Sequence, residues 1–122
     1  QRLGSALTAD PGPPMSFEVR FARGAERDLV EIHDYISSFD SPANASRMLR
    51  RLQEATDTLV QFQERGSHPR ELLELGIREY RQLVSTPYRI VYRIVDRKVM
   101  ILLIADGRRD MRSLLARRLL GA

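Results

Sequence analysis

Arginine is the main residue type in this 122-residue chain that could do chemistry. Of the 20 basic residues, 19 are arginine, and Lys98 is the only lysine. A guanidinium group binds carboxylates and phosphates through paired hydrogen bonds, so an arginine-rich surface suits an acidic partner protein or a nucleic acid. A GC-rich coding bias is the simpler explanation for part of the excess, and both explanations stay open at this point.

Groups that could transfer a proton are scarce. The chain has two histidines and no cysteine, and neither a histidine nor a tyrosine follows Tyr92. An arginine cannot take their place, because its pKa stays above about 12 in proteins. No second histidine or cysteine stands at metal-ligand spacing from His33 or His68, so we predict no metal site and no cofactor.

Four arginines fall within or beside predicted strands. They are Arg78, Arg81, Arg89 and Arg93. From Tyr88 to Val95 apolar side chains occupy every second position, which is the period of a strand with one buried face. Arg89 and Arg93 share the other, charged face, and Arg81 approaches them if the register allows.

The carboxylates support two interpretations of these arginines. An internal partner such as Glu79 or Asp106 and an external partner are equally good candidates to balance the strand charges. Glu71 and Glu74, three residues apart, are typical of a solvated helix face.

The stretch from Gly76 to Arg109 predicts a three-stranded antiparallel meander. Strand patterns at Arg78 to Ser85 and Tyr88 to Val95 are separated at Pro87, because proline fixes φ and gives the ladder no donor. Val99 to Ala105 is almost wholly apolar, which predicts a strand buried on both faces in the middle of the sheet. The Asp96-Arg97-Lys98 segment is short enough to close a hairpin.

The N-terminal half predicts a strand and two helices. Residues 1–14 are rich in glycine, proline and small residues, so we interpret them as an added leader or a disordered extension, followed by a single domain over residues 15–122. Ser16 to Phe21 alternates like an edge strand. A helical stripe runs from Ala25 to near Phe39. Asp40-Ser41-Pro42 then begins a second helix, which we expect to pair antiparallel with the first and to end before Gly66, a left-handed terminator.

Met111 to Leu120 predicts a short C-terminal helix. Its leucines Leu114, Leu115 and Leu119 are expected to face inward, and Arg117 and Arg118 outward. The predicted fold class is therefore α+β, with an N-terminal strand, an antiparallel helical hairpin, the meander and this helix. No apolar run approaches the roughly 20 residues that cross a bilayer, so a cytoplasmic protein is the default expectation.

Four segments resemble the RelE/ParE superfamily of bacterial type II toxins. They are Glu26 to Ile36 (ERDLVEIHDYI), Gly76 to Leu83 (GIREYRQL), Pro87 to Tyr92 (PYRIVY) and the closing ADGRRD motif. The match covers roughly Met15 to Arg112. The resemblance implies a helical hairpin packed on an antiparallel sheet, in agreement with the periodicity of the sequence.

The superfamily implies two different activities. RelE-like members cut mRNA on the ribosome, using basic side chains and, in the best-known type, a C-terminal tyrosine, whereas ParE-like members poison DNA gyrase without catalysing a reaction. The missing tyrosine and the long hairpin from Ala25 to Arg65 favour the ParE-like branch. We therefore expect a growth-inhibiting, plasmid-stabilising toxin that is not an enzyme. The mRNA endonuclease and an inactive relative that only binds antitoxin are the alternatives.

The resemblance also implies a cognate antitoxin, partly disordered, that folds on binding and forms a hetero-oligomer with the toxin. The candidate antitoxin-binding or functional basic face is the set of four strand arginines. The candidate target-contacting segment is C-terminal, and its residues are Arg108, Arg109, Arg112, Leu115, Arg117, Arg118 and Leu119. We expect gyrase to be the target, with ribosome and mRNA only in the alternative, and no histidine or tyrosine within reach of Arg108 and Arg109.

Overall fold

The computed structural model describes residues 16–121, so the predicted leader at residues 1–14 lies outside the described residues. The elements are β1 (Glu18–Phe21), α1 (Arg23–Phe39), α2 (Pro42–Asp57), α3 (Arg70–Leu73), β2 (Tyr80–Ser85), β3 (Tyr88–Val95), β4 (Lys98–Asp106) and α4 (Met111–Leu119). This order confirms the predicted α+β class, the helical hairpin, the meander and the C-terminal helix. The short helix α3 has no counterpart in the sequence prediction.

The four strands form one sheet in the order β1-β4-β3-β2. Strands β2, β3 and β4 are antiparallel neighbours, and β1 pairs in parallel with β4. The apolar run of β4 therefore lies in the interior of the sheet, as predicted, because a strand flanked on both sides needs apolar residues on both faces. The N-terminal strand lies at an edge, also as predicted.

Both faces of the sheet are covered. Helices α1 and α2 pack on one face, where Ile90, Tyr92 and Ile101 are fully buried in a first core. On the other face α3 and α4 bury Val91 and Leu103 in a second core. The expectation that the second face of β3 would be charged is wrong at Val91, because the C-terminal helix folds back over it.

A β-bulge in β4 allows the strand to serve both cores. Val91 pairs with Leu103 and Tyr92 pairs with Ile101, so Leu102 is the extra residue. Val99 and Ile101 belong to the first core, whereas Leu103 and Ala105 belong to the second. The bulge shifts the alternation by one position, which is why no clean period of two is visible in this run.

Helix α2 begins where predicted and ends earlier than predicted. Pro42 opens it, and the Ser41 hydroxyl accepts a hydrogen bond of 3.0 Å from the Asn44 amide. The helix ends at Asp57, followed by one 3₁₀ turn at Thr58–Val60, and does not run on toward Gly66. Gly66 is not among the residues with positive φ, so its interpretation as a left-handed terminator is wrong.

Gly66 is required by a close approach instead. A Cβ atom there would lie 2.6 Å from the Tyr92 hydroxyl oxygen and 2.7 Å from the Gln82 carbonyl oxygen. The Tyr92 hydroxyl accepts a hydrogen bond from the Gly66 amide (3.0 Å) and donates one to the Gln63 carbonyl (2.6 Å). The segment after α2 is thus held against the sheet by a buried tyrosine. Ser67 adds a backbone bridge to Gln82 on the outer side of β2.

Across residues 16–121, no helix is long and apolar enough to span a membrane.

Candidate functional site

Arg89 is an internal ion-pair residue with a largely buried side chain. Its guanidinium donates two hydrogen bonds to the Glu71 carboxylate at 2.9 and 3.0 Å and one to Gln82 Oε1 at 2.7 Å. The hydrogen bonds from Arg89 lower the pKa of Glu71 to about 2. The sequence predicts Glu71 on a solvated helix face, and Glu79 or Asp106 as the internal partner of the strand arginines. The structure replaces both assignments with a contact between α3 and the sheet.

Arg81 also makes internal contacts. It donates to the Glu64 and Gly66 carbonyls at 3.0 and 2.8 Å, which holds the segment after α2. Arg81 pairs with Tyr92, a residue of the first core, and so lies on the opposite face of the sheet from Arg89 and Arg93. The expected approach of Arg81 to these two arginines is therefore wrong. The four strand arginines do not form one face.

The exposed cations of the sheet form a different set, whose members become neighbours through the pairing register of the strands. Arg20 and Arg93 both pair with Met100, one from each side, and Lys98 lies two positions before Met100 on the same strand face. Arg93 and Lys98 are exposed, and Arg20 is half exposed with a 2.7 Å contact to Glu18. This cluster was not predicted from the sequence, because Arg20 and Lys98 lie far apart in the chain. Arg78, just before β2, is exposed as well.

The C-terminal segment is partly buried. Leu115 is fully buried and Leu119 packs on the second core, so neither is available for target contact while α4 is docked. Arg112 makes a 2.7 Å ion pair with Glu74, and Arg117 is exposed. Asp110 caps the helix, since its carboxylate accepts from the Ser113 amide and hydroxyl.

Arg118 is also turned inward, in contrast to its predicted outward orientation. It makes two 3.0 Å hydrogen bonds with the Asp28 carboxylate on α1 and donates to the Leu102 carbonyl at 3.1 Å. Asp28 in turn accepts from the Ile104 amide at 3.0 Å. This ion pair therefore satisfies one backbone group of the bulge residue Leu102 and one of Ile104, two positions later, and it ties α4 to α1. We refer to Asp28 and Arg118 as the latch. Gly24 leaves it space, because a Cβ there would lie 2.6 Å from Arg118 Nη2.

Tyrosines lie beside the closing arginines, which overturns the expectation that none would be in reach. Tyr35, Tyr88, Arg108 and Arg109 line one cleft of about 360 Å³. Burial, with a smaller contribution from Asp106, raises the pKa of Tyr88, so its hydroxyl stays protonated at neutral pH. Arg108 binds Asp106 at 2.6 Å, and these bonds lower the pKa of Asp106 to about 2. The tyrosine that was overlooked in the sequence is Tyr88, which pairs with Asp106 across the β3–β4 ladder and so lies near Arg108.

The comparisons with known proteins all point to toxins of type II toxin–antitoxin systems. The family model of the ParE toxin of type II toxin–antitoxin systems, parDE, matches residues 19–111. The chain belongs to the ParE toxin family. Toxin RelE2 of Caulobacter vibrioides is 40% identical to this ParE-family chain over 82 residues, which cover 67% of this chain and 85% of that protein.

Two solved structures share the fold of this ParE-family toxin. The chromosomal ParDE system from P. aeruginosa gives a TM-score of 0.64 at 20% identity, with 75% of this chain and 97% of the other covered. The RelBE2 toxin–antitoxin complex from Mycobacterium tuberculosis gives 0.52 at 24% identity, covering 75% and 98%. At these identities the likeness establishes the fold, and it confirms the helical hairpin on an antiparallel sheet.

The side chains of this ParE-family toxin form a binding surface that includes a tyrosine-lined cleft. Its exposed arginines can hold carboxylates or phosphates. Within residues 16–121 no group of three or more histidine, aspartate or glutamate side chains is placed to hold a metal ion. Neither histidine lines the cleft with Arg108 and Arg109: His68 bonds to the Tyr80 carbonyl at 3.0 Å, and His33 lies near Asp34 on α1.

Proposed function

We propose that this toxin inhibits DNA gyrase in the cytoplasm by stoichiometric binding, so that replication is blocked until a cognate antitoxin neutralises it. The observation that carries the proposal is the internal use of Arg81 and Arg89. An RNase would need cations converging on a phosphate between an acid and a base. The sheet of this chain uses Arg81 and Arg89 for structure, which fits a protein that acts by occupying its target.

Gyrase and plasmid DNA test the proposal directly. Purified toxin is titrated into gyrase with ATP and relaxed plasmid. We expect supercoiling to fall and linear plasmid to accumulate as toxin approaches the concentration of gyrase. Intact supercoiling at toxin excess would remove the gyrase assignment.

The exposed arginines of the C-terminal segment are the proposed target contacts. Arg109→Ala and Arg117→Ala change side chains that are exposed, so they leave the fold intact. We expect each to raise the toxin concentration needed for half-inhibition of gyrase several-fold. Arg50→Ala, on the exposed side of α2, is the matched control and is expected to leave that concentration unchanged.

The proposed antitoxin-binding surface is the exposed basic part of the sheet, formed by Arg20, Arg93 and Lys98, with Arg78 beside it. A partly disordered antitoxin that folds on binding would combine apolar anchors with carboxylates for these cations. Arg93→Glu is expected to weaken antitoxin binding at least about tenfold in calorimetry. An unchanged affinity would place the antitoxin elsewhere on the toxin.

A second candidate function is ribosome-dependent mRNA cleavage, and one observation favours it. Glu31, Tyr35 and Tyr88 line the same cleft as Arg108 and Arg109, so carboxylate, hydroxyls and cations occur together. This candidate predicts mRNA cut in a translating extract, with activity lost in the Glu31→Gln and Arg109→Ala variants. A third candidate, an inactive relative kept for antitoxin binding, predicts normal growth on induction.

A further inference from the structure

Two aromatic side chains protrude from the last turns of α1. Tyr35 is 62% exposed and Phe39 is 77% exposed, and their ring centroids lie 4.7 Å apart. Four residues apart on a helix, they form one continuous aromatic surface. Large aromatic side chains exposed together are uncommon on a protein that has no use for them, and they mark interaction sites.

The aromatic pair lies at the junction of two clefts. One cleft has a volume of about 450 Å³. Tyr35 and Phe39 of α1 form one wall, and Met48 and Arg51 of α2 form another. Pro87 and Tyr88, where the β2–β3 connection meets β3, form a third. The other is the 360 Å³ cleft that reaches Arg108 and Arg109. Tyr35, Pro87 and Tyr88 line both clefts, so the two form one groove. We call it the aromatic groove.

Unpaired charge in the aromatic groove is mainly positive. Among residues 16–121, the side chains of Arg51 and Arg109 make no hydrogen bond or ion pair, and each lines a different one of the two clefts. Arg47, which lines the cleft with Arg51, donates to the neutral side chain of Asn44, so its charge is also unbalanced. Arginines balance two of the four lining carboxylates, Asp28 through Arg118 and Asp106 through Arg108, whereas Asp40 accepts a hydrogen bond from the neutral Asn44 side-chain amide and keeps its charge. Glu31 is the lining carboxylate without a partner in the described part of the chain.

An apolar floor with an arginine in each cleft has the composition of a protein-binding hot spot. Tyrosine and arginine are the residues enriched in such spots, and a methionine such as Met48 adapts to the shape of an inserted side chain. A nucleic-acid groove would instead need cations along its whole length to follow the phosphates. Here the arginine beside Tyr35 and Tyr88 in the middle of the groove is Arg108, and Asp106 already balances its charge.

We propose that the aromatic groove is a docking site for an acidic protein segment that carries two bulky apolar side chains, one for each cleft. Carboxylates on either side of these anchors would meet Arg51 and Arg109. The groove shares Arg109 with the proposed gyrase contacts, but it excludes the exposed Arg117 of α4 and the basic part of the sheet. It goes beyond gyrase inhibition, because it would serve a partner of this chemistry whichever target the toxin has.

A defined peptide tests the docking site on the full chain. The probe is a fluorescein-labelled helical peptide of about 12 residues with two phenylalanines four positions apart among glutamates. Fluorescence anisotropy is expected to show saturable binding, and Phe39→Ala is expected to weaken it at least about tenfold. Absence of binding to the unchanged chain would overturn the proposal.

Matched variants distinguish peptide binding in the groove from nonspecific binding to other exposed side chains. Phe62→Ala removes an aromatic side chain of similar exposure, 63%, in another cleft, and is expected to leave peptide binding unchanged. Arg51→Glu is expected to weaken binding, whereas Arg50→Glu on the neighbouring position, outside the groove lining, is not. Equal effects of the two members of either pair would contradict the assignment.

Two further probes test the chemistry of the occupant. The same peptide with lysines in place of glutamates is expected to bind at least about tenfold more weakly, because its charges meet Arg51 and Arg109. A single-stranded oligothymidine of equal charge is expected not to bind in a way that depends on Phe39. If the oligothymidine bound more tightly than the acidic peptide and lost affinity in Phe39→Ala, the groove would be a nucleic-acid site and the proposal would fall. A normal gyrase titration together with a failed peptide titration would overturn the groove alone.

Discussion

The buried hydroxyl of Tyr92 forms hydrogen bonds with two backbone groups of the segment after α2. Replacing it with phenylalanine removes the donor to the Gln63 carbonyl and the acceptor for the Gly66 amide. Because Tyr92 is fully buried, water cannot take over these bonds. We expect Tyr92→Phe to lower the free energy of unfolding by about 2 kcal/mol, measured by urea denaturation. Tyr35→Phe, at an exposed tyrosine, is the control and should change it by less than about 0.5 kcal/mol.

The ion pair between Glu71 and Arg89 makes the free energy of unfolding of the toxin depend on pH. Its pKa in the folded chain is about 2, against an ordinary value of 4.5. A carboxylate with a lowered folded pKa stabilises the fold above its unfolded pKa, and that stabilisation is lost as pH falls from about 4.5 toward 2. The shift corresponds to on the order of 3 kcal/mol at neutral pH.

The matched variants for this prediction are Glu71→Gln and Glu74→Gln. We expect Glu71→Gln to be less stable at pH 7 and to lose less stability between pH 5 and pH 2 than the unchanged chain, as followed by thermal unfolding. Some acid sensitivity remains in it, because the pKa of Asp106 is lowered too. Glu74 and its partner Arg112 are about half exposed, so Glu74→Gln is expected to behave like the unchanged chain. Identical acid profiles for both variants would show that the Arg89 pair does not control acid stability.

At the scale of elements, the latch determines how firmly α4 stays on the sheet. Asp28→Ala leaves Arg118 without its carboxylate and the Ile104 amide without its acceptor. Both latch side chains are largely buried, so we expect a loss of about 3 kcal/mol. Hydrogen exchange is expected to rise in α4 more than in β3.

Two variants separate the latch charge from the helix itself. Arg117→Ala changes an exposed neighbour on α4 and is expected to leave exchange unchanged. Arg118→Lys keeps the charge but loses the paired geometry that also reaches the Leu102 carbonyl, so an intermediate effect is expected. If Arg118→Lys exchanged as slowly as the unchanged chain, the contribution of the latch would come from the charge of Arg118 and not from its paired geometry.

Elements were more predictable from the sequence than the contacts between them. The apolar run of Val99 to Ala105 predicted a central strand, and Ser41-Pro42 predicted the start of α2, because these are local signals. The latch joins residues 90 positions apart and the Arg89–Glu71 pair joins residues 18 apart. Such partners depend on the Leu102 bulge and on the placement of α3, and neither has a periodic signature. For this reason the sequence did not predict the internal contacts of Arg81 and Arg89 or the inward orientation of Arg118, whereas the inward orientation of Leu115 follows from the local helical period and is confirmed.

At the scale of the whole molecule, the proposed target predicts a particular cellular response. Induced expression without antitoxin is expected to trigger a DNA-damage response while protein synthesis continues, because blocked gyrase leaves broken DNA. Arg109→Ala with Arg117→Ala is expected to weaken the response, and Arg50→Ala is the control. Translation arrest without DNA damage would favour mRNA cleavage, and normal growth would favour the inactive relative.

The order of the strands has a consequence for synthesis of the toxin. Strand β1 pairs with β4, the last strand of the chain, and β3 pairs with β4 from the other side. Until Lys98–Asp106 has left the ribosome, β1 has no neighbour and the first core lacks Val99 and Ile101. A chain whose translation stops earlier can make the helical hairpin and the β2–β3 hairpin, but it cannot join β1 to them. Translation products that stop before Lys98–Asp106 are therefore expected to be harmless fragments that proteases remove, and only a chain that includes this strand becomes a folded toxin.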